Sequence, residues 1–174
     1  MSYKKIPKVL IEIRPSKIVK NSIGLFAVRD LKKGTIIGEA KYFKESFHPW
    51  KDFQKLDKQT QKKVTDYCVG TEKGFYAPDD FNYMSIPWHM NHSCDGNVAF
   101  DKKDNFVTIK NVKEGEELSW DYGLTETNPN FKMKCSCRSK KCRKIITGSD
   151  WKFLINQPDK AIYMSSDLVN KKHE

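Results

Sequence analysis

Short apolar stretches alternate with charged, glycine-bearing turns along this chain, and that grammar predicts strands. Val9-Leu10-Ile11-Glu12-Ile13 forms a short strand ended by Arg14-Pro15, because proline removes a ladder donor. Ile23 to Val28 is a second strand, begun through Gly24. The polar turn Arg29 to Gly34 leads into a third at Thr35 to Glu39. Val98-Ala99-Phe100 and Phe106 to Ile109 flank Asp101–Asn105 as a hairpin, and Val112 to Leu118 repeats the charged glycine turn before another strand. One segment changes period. From Pro49 to Cys68, Phe53, Leu56, Val64 and Tyr67 recur at helical spacing, which predicts one inserted amphipathic helix. A second short helix is expected to start at Ser149-Asp150, carry Trp151, Phe153 and Leu154, and stop before Pro158. The last ten residues are polar and expected to fray. The predicted class is mainly β.

Composition narrows the setting. The 174 residues suffice for one domain with a small appendage, and no apolar run approaches the roughly 18 residues of a membrane span. The first residues, Met1 to Pro7, lack the apolar stretch of a secretory signal, so an intracellular, reducing compartment is expected, cytoplasm or nucleus. Five cysteines in such a compartment point to a metal rather than to disulfides. Net charge is +10 and uneven. Residues 132–144 carry seven cations and no acid, whereas residues 111–128 hold Glu114, Glu116, Glu117, Asp121 and Glu126 against Lys113 alone. The asymmetry points either to two different partners, nucleic acid being the candidate for the basic run, or to a solvated surface.

Three segments carry chemistry. Cys135-x-Cys137-x4-Cys142 supplies three thiolates within eight residues, and tetrahedral zinc needs four ligands. Cys94, beside Asn91-His92, is the natural fourth, and Cys68 on the apolar side of the inserted helix reads as core. His92 and Cys94 as a base and nucleophile are geometrically awkward two residues apart, so zinc is the better use of Cys94. The Asn91 amide offers donors and an acceptor for a polar ligand. Tyr122 ends a strand between Asp121 and Gly123, where its hydroxyl could orient an amine.

In this order, Ser22-Ile23-Gly24-Leu25, Asn91-His92-Ser93-Cys94, Glu117-Leu118-Ser119-Trp120-Asp121-Tyr122 and the cysteine triplet resemble the SET domain of protein lysine methyltransferases followed by a post-SET zinc module. The resemblance spans residues 16–147. It implies several short sheets, a knot-like C-terminal crossing, one inserted helix and a zinc-bound tail. It divides the chain into a catalytic domain at 1–130, a zinc module at 131–147 and a helical tail at 148–174. It further implies transfer of a methyl from S-adenosylmethionine to the ε-amine of a lysine in a protein, a histone among the candidates, within a basic segment. Carried over residue by residue, Tyr122 is catalytic. Ser22, Ile23, Gly24, Leu25, Asn91, His92 and Tyr122 meet the cofactor, Trp120 lines the substrate channel, and Cys94, Cys135, Cys137 and Cys142 hold Zn2+. A viral or bacterial chain of this kind would act in a host.

Three positions depart from that pattern. Gly24 stands alone where two glycines are usual, and Trp88-His89-Met90 replaces an Arg-Phe-Ile before Asn-His. Ala40 occupies the place of a channel tyrosine, with Tyr42, Tyr76 and Tyr83 as other candidates. Two non-enzymatic alternatives remain open on the sequence: a catalytically silent module that binds chromatin or nucleic acid through its basic zinc knob, and a zinc-stapled structural domain.

Overall fold

The computed structural model describes residues 8–42, 45–166 and 168. Among them the chain forms β1 (Ile11–Pro15), β2 (Ile23–Ala27), β3 (Ile36–Gly38), β4 (Glu45–Pro49), α1 (Trp50–Phe53), α2 (Lys58–Tyr67), β5 (Val69–Gly70) and β6 (Gly74–Pro78). There follow β7 (Asn91–His92), β8 (Val98–Phe100), β9 (Phe106–Thr108), β10 (Glu117–Trp120), β11 (Lys132–Lys134), β12 (Ile145–Thr147), α3 (Asp150–Leu154) and α4 (Pro158–Ala161). The mainly-β expectation holds.

Four small sheets share the work. The first has the order β1-β2-β10-β7, with β7 parallel to β10 and the other pairs antiparallel. In β2 only Ile23 is exposed; Gly24 through Ala27 are buried, because the strand is sandwiched between β1 and β10. The others are β3-β9-β8, β4-β6-β5 and the β11-β12 hairpin. The β8-β9 hairpin turns where expected: Asp101 Oδ1 accepts from the Lys103 and Asn105 N–H groups, and Asp104 adopts φ 56°.

The main core gathers Leu25, Leu31, Met90, Val98, Phe100, Val112, Leu118 and Trp120 from the first two sheets and their turns. Leu118 is fully buried, so truncating it to alanine would cost about 2–5 kcal/mol. A second cluster packs Leu154, Met164 and Leu168 against Ala99 and Leu124, which fastens the C-terminal helices beside the strand ends. The expectation of a frayed terminus falls mostly on residues outside those described, but Leu168 is buried.

The inserted helix is in fact two. Asp57 caps α2, accepting from the Gln59 and Thr60 N–H groups at 2.9 and 3.0 Å, and Gln61 Nε2 closes the gap by donating to the Phe53 and Leu56 carbonyls. A local cap outcompetes helix continuation across Gln54–Asp57. Trp50, Phe53, Leu56 and Cys68 still pack together, against Val64, Phe75 and Ala77 of α2 and β6. The sheet β4-β6-β5 and the hairpin β11-β12 have no counterpart in the sequence reading; each strand is short, and the polar residues of β4 and β11 mask their period.

Candidate functional site

The parallel pairing of β7 with β10 sets Asn91 opposite Ser119 and His92 opposite Trp120. Segments some thirty residues apart are thereby placed side by side. After Trp120 the chain turns at Asp121, whose Oδ1 accepts from the Gly123 N–H at 3.1 Å. That turn swings the Tyr122 ring beside His92 and Trp120, both with centroids 5.1 Å away. The Tyr122 hydroxyl donates to the Met90 carbonyl at 3.0 Å. Burial pushes its pKa up, so it stays protonated.

Two hollows meet at this tyrosine. The larger, about 740 Å3, is walled by Phe100, Phe106, Trp120 and Tyr122 with Tyr76 and Cys68. The smaller, about 280 Å3, is lined by Ser22, Ile23, His89 and Asn91. Asp66, Tyr67, Trp88, Met90 and Tyr122 belong to both. A reactant in either hollow therefore meets the same tyrosine.

The predicted residues distribute unevenly around these hollows. Ser22, Ile23, Asn91 and Tyr122 line the smaller one, and Trp120 the larger. Trp120 is fixed edge-on to Phe100 and Phe106, at 5.2 and 5.7 Å. Gly24 lies beneath the Glu117 carboxylate, and Leu25 is fully buried in the main core with strand partners on both sides. His92 lies between the tyrosine and the cysteines. Its Nδ1 accepts from the Tyr122 N–H at 3.2 Å, and its Nε2 is 3.4 Å from Cys94 Sγ. Burial holds this imidazole neutral, with a pKa of about 4, against the opposing pull of Asp121.

Cys94, Cys135, Cys137 and Cys142 converge, with all four sulfurs within 4.8 Å of one another. Cys94 and Cys135 are 3.8 Å apart. A tetrahedral zinc with bonds of about 2.3 Å separates its sulfurs by about 3.8 Å, so the set is compatible with that ion. The Arg143 and Cys137 N–H groups point at Cys94 and Cys135 sulfur, at 3.4 and 3.5 Å, which favours thiolates. Cys68 lies elsewhere, its thiol pushed up to about 12 by burial, as befits a core residue.

Three residues escaped the sequence reading. Arg143, taken for one more cation of the basic run, forks onto buried Asp121 at 2.7 and 2.5 Å and onto Asp150 at 2.7 Å. Its place directly after the last zinc-spaced cysteine was the available signal. Tyr67, read as a helix-face apolar residue, stands in both hollows, whereas Tyr42 and Tyr83 are exposed at 66% and 85%. Glu117 is a hub of hydrogen bonds. The acidic run at 111–128 forms no single surface: Glu114 and Glu116 sit at the turn with Asp30 and Lys113, and Glu126 is buried. The carboxyls that line the large hollow are instead Glu45, Asp66, Glu72, Asp104 and Glu126, against one lysine, Lys73.

Residues 22–123, more than half of the chain, match the family model described as SET domain. The chain belongs to the SET domain family. Among its relatives are Histone-lysine N-methyltransferase 2D of Homo sapiens, 26% identical over 129 residues, and a histone H3 lysine-9-specific N-methyltransferase of Fusarium mangiferae, 33% identical over 111 residues. The matches cover 70% and 52% of this chain but only 2% and 31% of those proteins. The SET domain thus spans under a third of the curated relatives it matches. A solved structure described as ctPRC2 in an autoinhibited conformation bound to S-adenosylmethionine aligns over 68% of this chain and 16% of its own, at 21% identity and a TM-score of 0.46.

Proposed function

We propose that this SET domain is an S-adenosylmethionine-dependent protein-lysine N-methyltransferase. The observation that carries the reading is that Tyr122 lines both a polar hollow and an aromatic one. The small hollow takes the cofactor, held by Ser22, Ile23, Asn91 and Tyr122, with Gly24, Leu25 and His92 acting from behind through backbone and packing. When bound, S-adenosylmethionine supplies a methyl group on a positively charged sulfur.

The chain's own residues supply the rest. A lysine ε-amine reaches Tyr122 through the large hollow, past Trp120. Its ammonium starts near pKa 10.4, so deprotonation at pH 7 costs about 4–5 kcal/mol, and an apolar wall lowers that cost by disfavouring the charged form. Because the Tyr122 proton is committed to the Met90 carbonyl, its oxygen lone pairs face outward as acceptors. They hold an amine N–H and leave the nitrogen lone pair free to face the small hollow. With the cofactor bound, the deprotonated nitrogen would take the methyl and the electron pair of the broken bond would stay with sulfur, giving methyl-lysine and S-adenosylhomocysteine. His92 fixes the backbone of Tyr122 from the other side.

The four cysteines bind one zinc and join the module at 131–147 to the domain at Cys94. Four carboxyls of the large hollow, Glu45, Asp66, Glu72 and Asp104, favour a lysine in a basic segment, which histone tails provide. The exposed cations Lys132, Lys134, Arg138, Lys140, Lys141 and Lys144 contact nucleic acid, as a nuclear, chromatin-bound substrate would require. Tritium transfer from labelled S-adenosylmethionine to histones tests the reading. Tyr122→Phe is expected to keep cofactor binding and lose at least about a hundredfold in kcat. Full activity of that variant would remove Tyr122 from the mechanism, and binding of cofactor without transfer to any lysine would favour a silent module.

A further inference from the structure

Glu117 makes more connections than its place at the start of β10 requires. Its Oε1 accepts the Ser16 hydroxyl at 2.7 Å and Asn91 Nδ2 at 3.0 Å. Its Oε2 accepts the Lys17 and Ile18 N–H groups at 2.6 and 3.1 Å. Room for this carboxylate comes from Gly24, where a Cβ would lie 2.2 Å from Oε1. That contact is a physical reason for glycine at a position where the chain has normal strand geometry.

The Asn91 amide nitrogen is surrounded by acceptors. Besides Glu117 it donates to the Ile23 carbonyl at 2.8 Å and reaches Ser16 Oγ at 3.1 Å. Turning the amide over would set its carbonyl oxygen against a carboxylate and a backbone carbonyl. The donor side is therefore committed to the protein. Asn91 Oδ1 has no hydrogen-bond partner among the described residues, and Asn91 lines the small hollow.

We propose that Glu117 is a positioning residue: it locks the Asn91 amide with its acceptor toward the small hollow, so that the hollow selects a ligand carrying an ammonium group. The inference rests on the cofactor reading above, where that ammonium is the α-amino group of S-adenosylmethionine. Glu117 touches no reactant; it acts through Asn91 and through the Ser16–Ile18 turn that leads to Ser22 and Ile23.

The test measures calorimetric affinity of the full chain for S-adenosylhomocysteine and for its α-deamino analogue. Glu117→Gln must turn an N–H2 toward either Asn91 or the Lys17 and Ile18 N–H groups, so the lock fails. Affinity for S-adenosylhomocysteine should fall about ten- to hundredfold, the range for one hydrogen bond to a charged group. Affinity for the deamino analogue should fall by less than about threefold, on the same reasoning that it lacks the selected group. Glu117→Asp keeps the charge but withdraws the carboxylate from Asn91 by one methylene, and should show the same ligand-selective loss. If Glu117→Gln proves too unstable to assay, the same comparison on Glu117→Asp decides: a loss confined to S-adenosylhomocysteine upholds the lock. Equal losses for the two ligands, or none, overturn it in either variant. A wild-type chain that binds neither ligand would sink the cofactor reading itself, a result separable from a normal wild type with an unaltered variant.

Discussion

The turn that carries Tyr122 is held at its two ends by opposite means. Upstream, Asp121 is 1% exposed and faces a guanidinium: Arg143 binds it with two nitrogens and also holds Asp150. Downstream, Glu126 is 5% exposed and faces no cation among the described residues. Its oxygens accept the Gly70 and Asn128 N–H groups at 2.8 and 2.9 Å. Burial pushes its pKa up to about 7, with those two hydrogen bonds working against the rise. The upstream end ties the tyrosine to the cysteine cluster, since Arg143 N–H also points at Cys94. The downstream end ties it to the helical insertion, through Gly70 of β5, and makes that tie sensitive to pH. One tyrosine thus answers to two different regions.

The largest expected effect comes from dissolving the upstream anchor. Chelating the metal, or Cys137→Ser, should release residues 131–147 and abolish methyl transfer while most β-structure persists. Metal analysis of protein purified under reducing conditions should find about one zinc per chain, the stoichiometry of a four-thiolate site. A zinc-free chain with full activity would break the comparison.

Next comes Arg143→Ala. It leaves buried Asp121 with the longer 3.8 Å contact to Lys160, which costs about 3 kcal/mol in denaturant unfolding, the lower end for a broken buried pair. Arg143→Lys should recover little, because one ammonium cannot fork onto Asp121 and Asp150 together.

Glu126→Gln should act more gently and with a distinct pH signature. The folded pKa lies above the usual carboxyl value, so the folded state holds the extra proton between pH 4.5 and about 7. The stability contributed by the protonated group is complete below 4.5 and is lost as pH rises through about 7. Unfolding of wild type and variant, compared from pH 5 to 8, should show the wild type losing ground to Glu126→Gln as pH increases. Parallel curves would show that Glu126 keeps an ordinary pKa and that the two ends differ less than their partners imply.

The smallest effect is on product distribution. Trp120 has no hydroxyl to anchor a water near the amine, so methylation should proceed beyond one methyl. Mass spectrometry of a product time course checks this. Accumulation of monomethyl-lysine alone, relieved by Trp120→Phe, would show that the bulk of a ring clamped by Phe100 and Phe106 decides instead.

Much of this was legible in the residues. The strands around Gly24, the hairpin at Asp101–Asn105 and the four-cysteine set follow from local period, turn chemistry and ligand arithmetic, all of which act over a few residues. Arg143 and Glu126 show what was not. Both sit in charge runs that read as partner-facing or solvated surface, yet one is half of a buried ion pair and the other a buried carboxyl. A charge's partner is chosen by the three-dimensional path of the chain, and nothing in the spacing of 132–144 points back to Asp121.

What the sequence determined by itself is the inventory: a mainly-β chain, three thiolates awaiting a fourth, and an Asn-His pair and a tyrosine at strand ends. These are short-range properties, set by periodicity and by the chemistry of individual side chains. Tertiary structure alone decided the relations among them. The parallel pairing of β7 with β10 set Asn91 and His92 beside Ser119 and Trp120, and the Asp121 turn then directed Tyr122 toward Met90. It also divided the cavity into two hollows at that ring and chose Glu117 as the partner of Asn91. Strand pairing and burial are cooperative, long-range choices, satisfied only when every buried donor and acceptor in the sheet finds its partner at once.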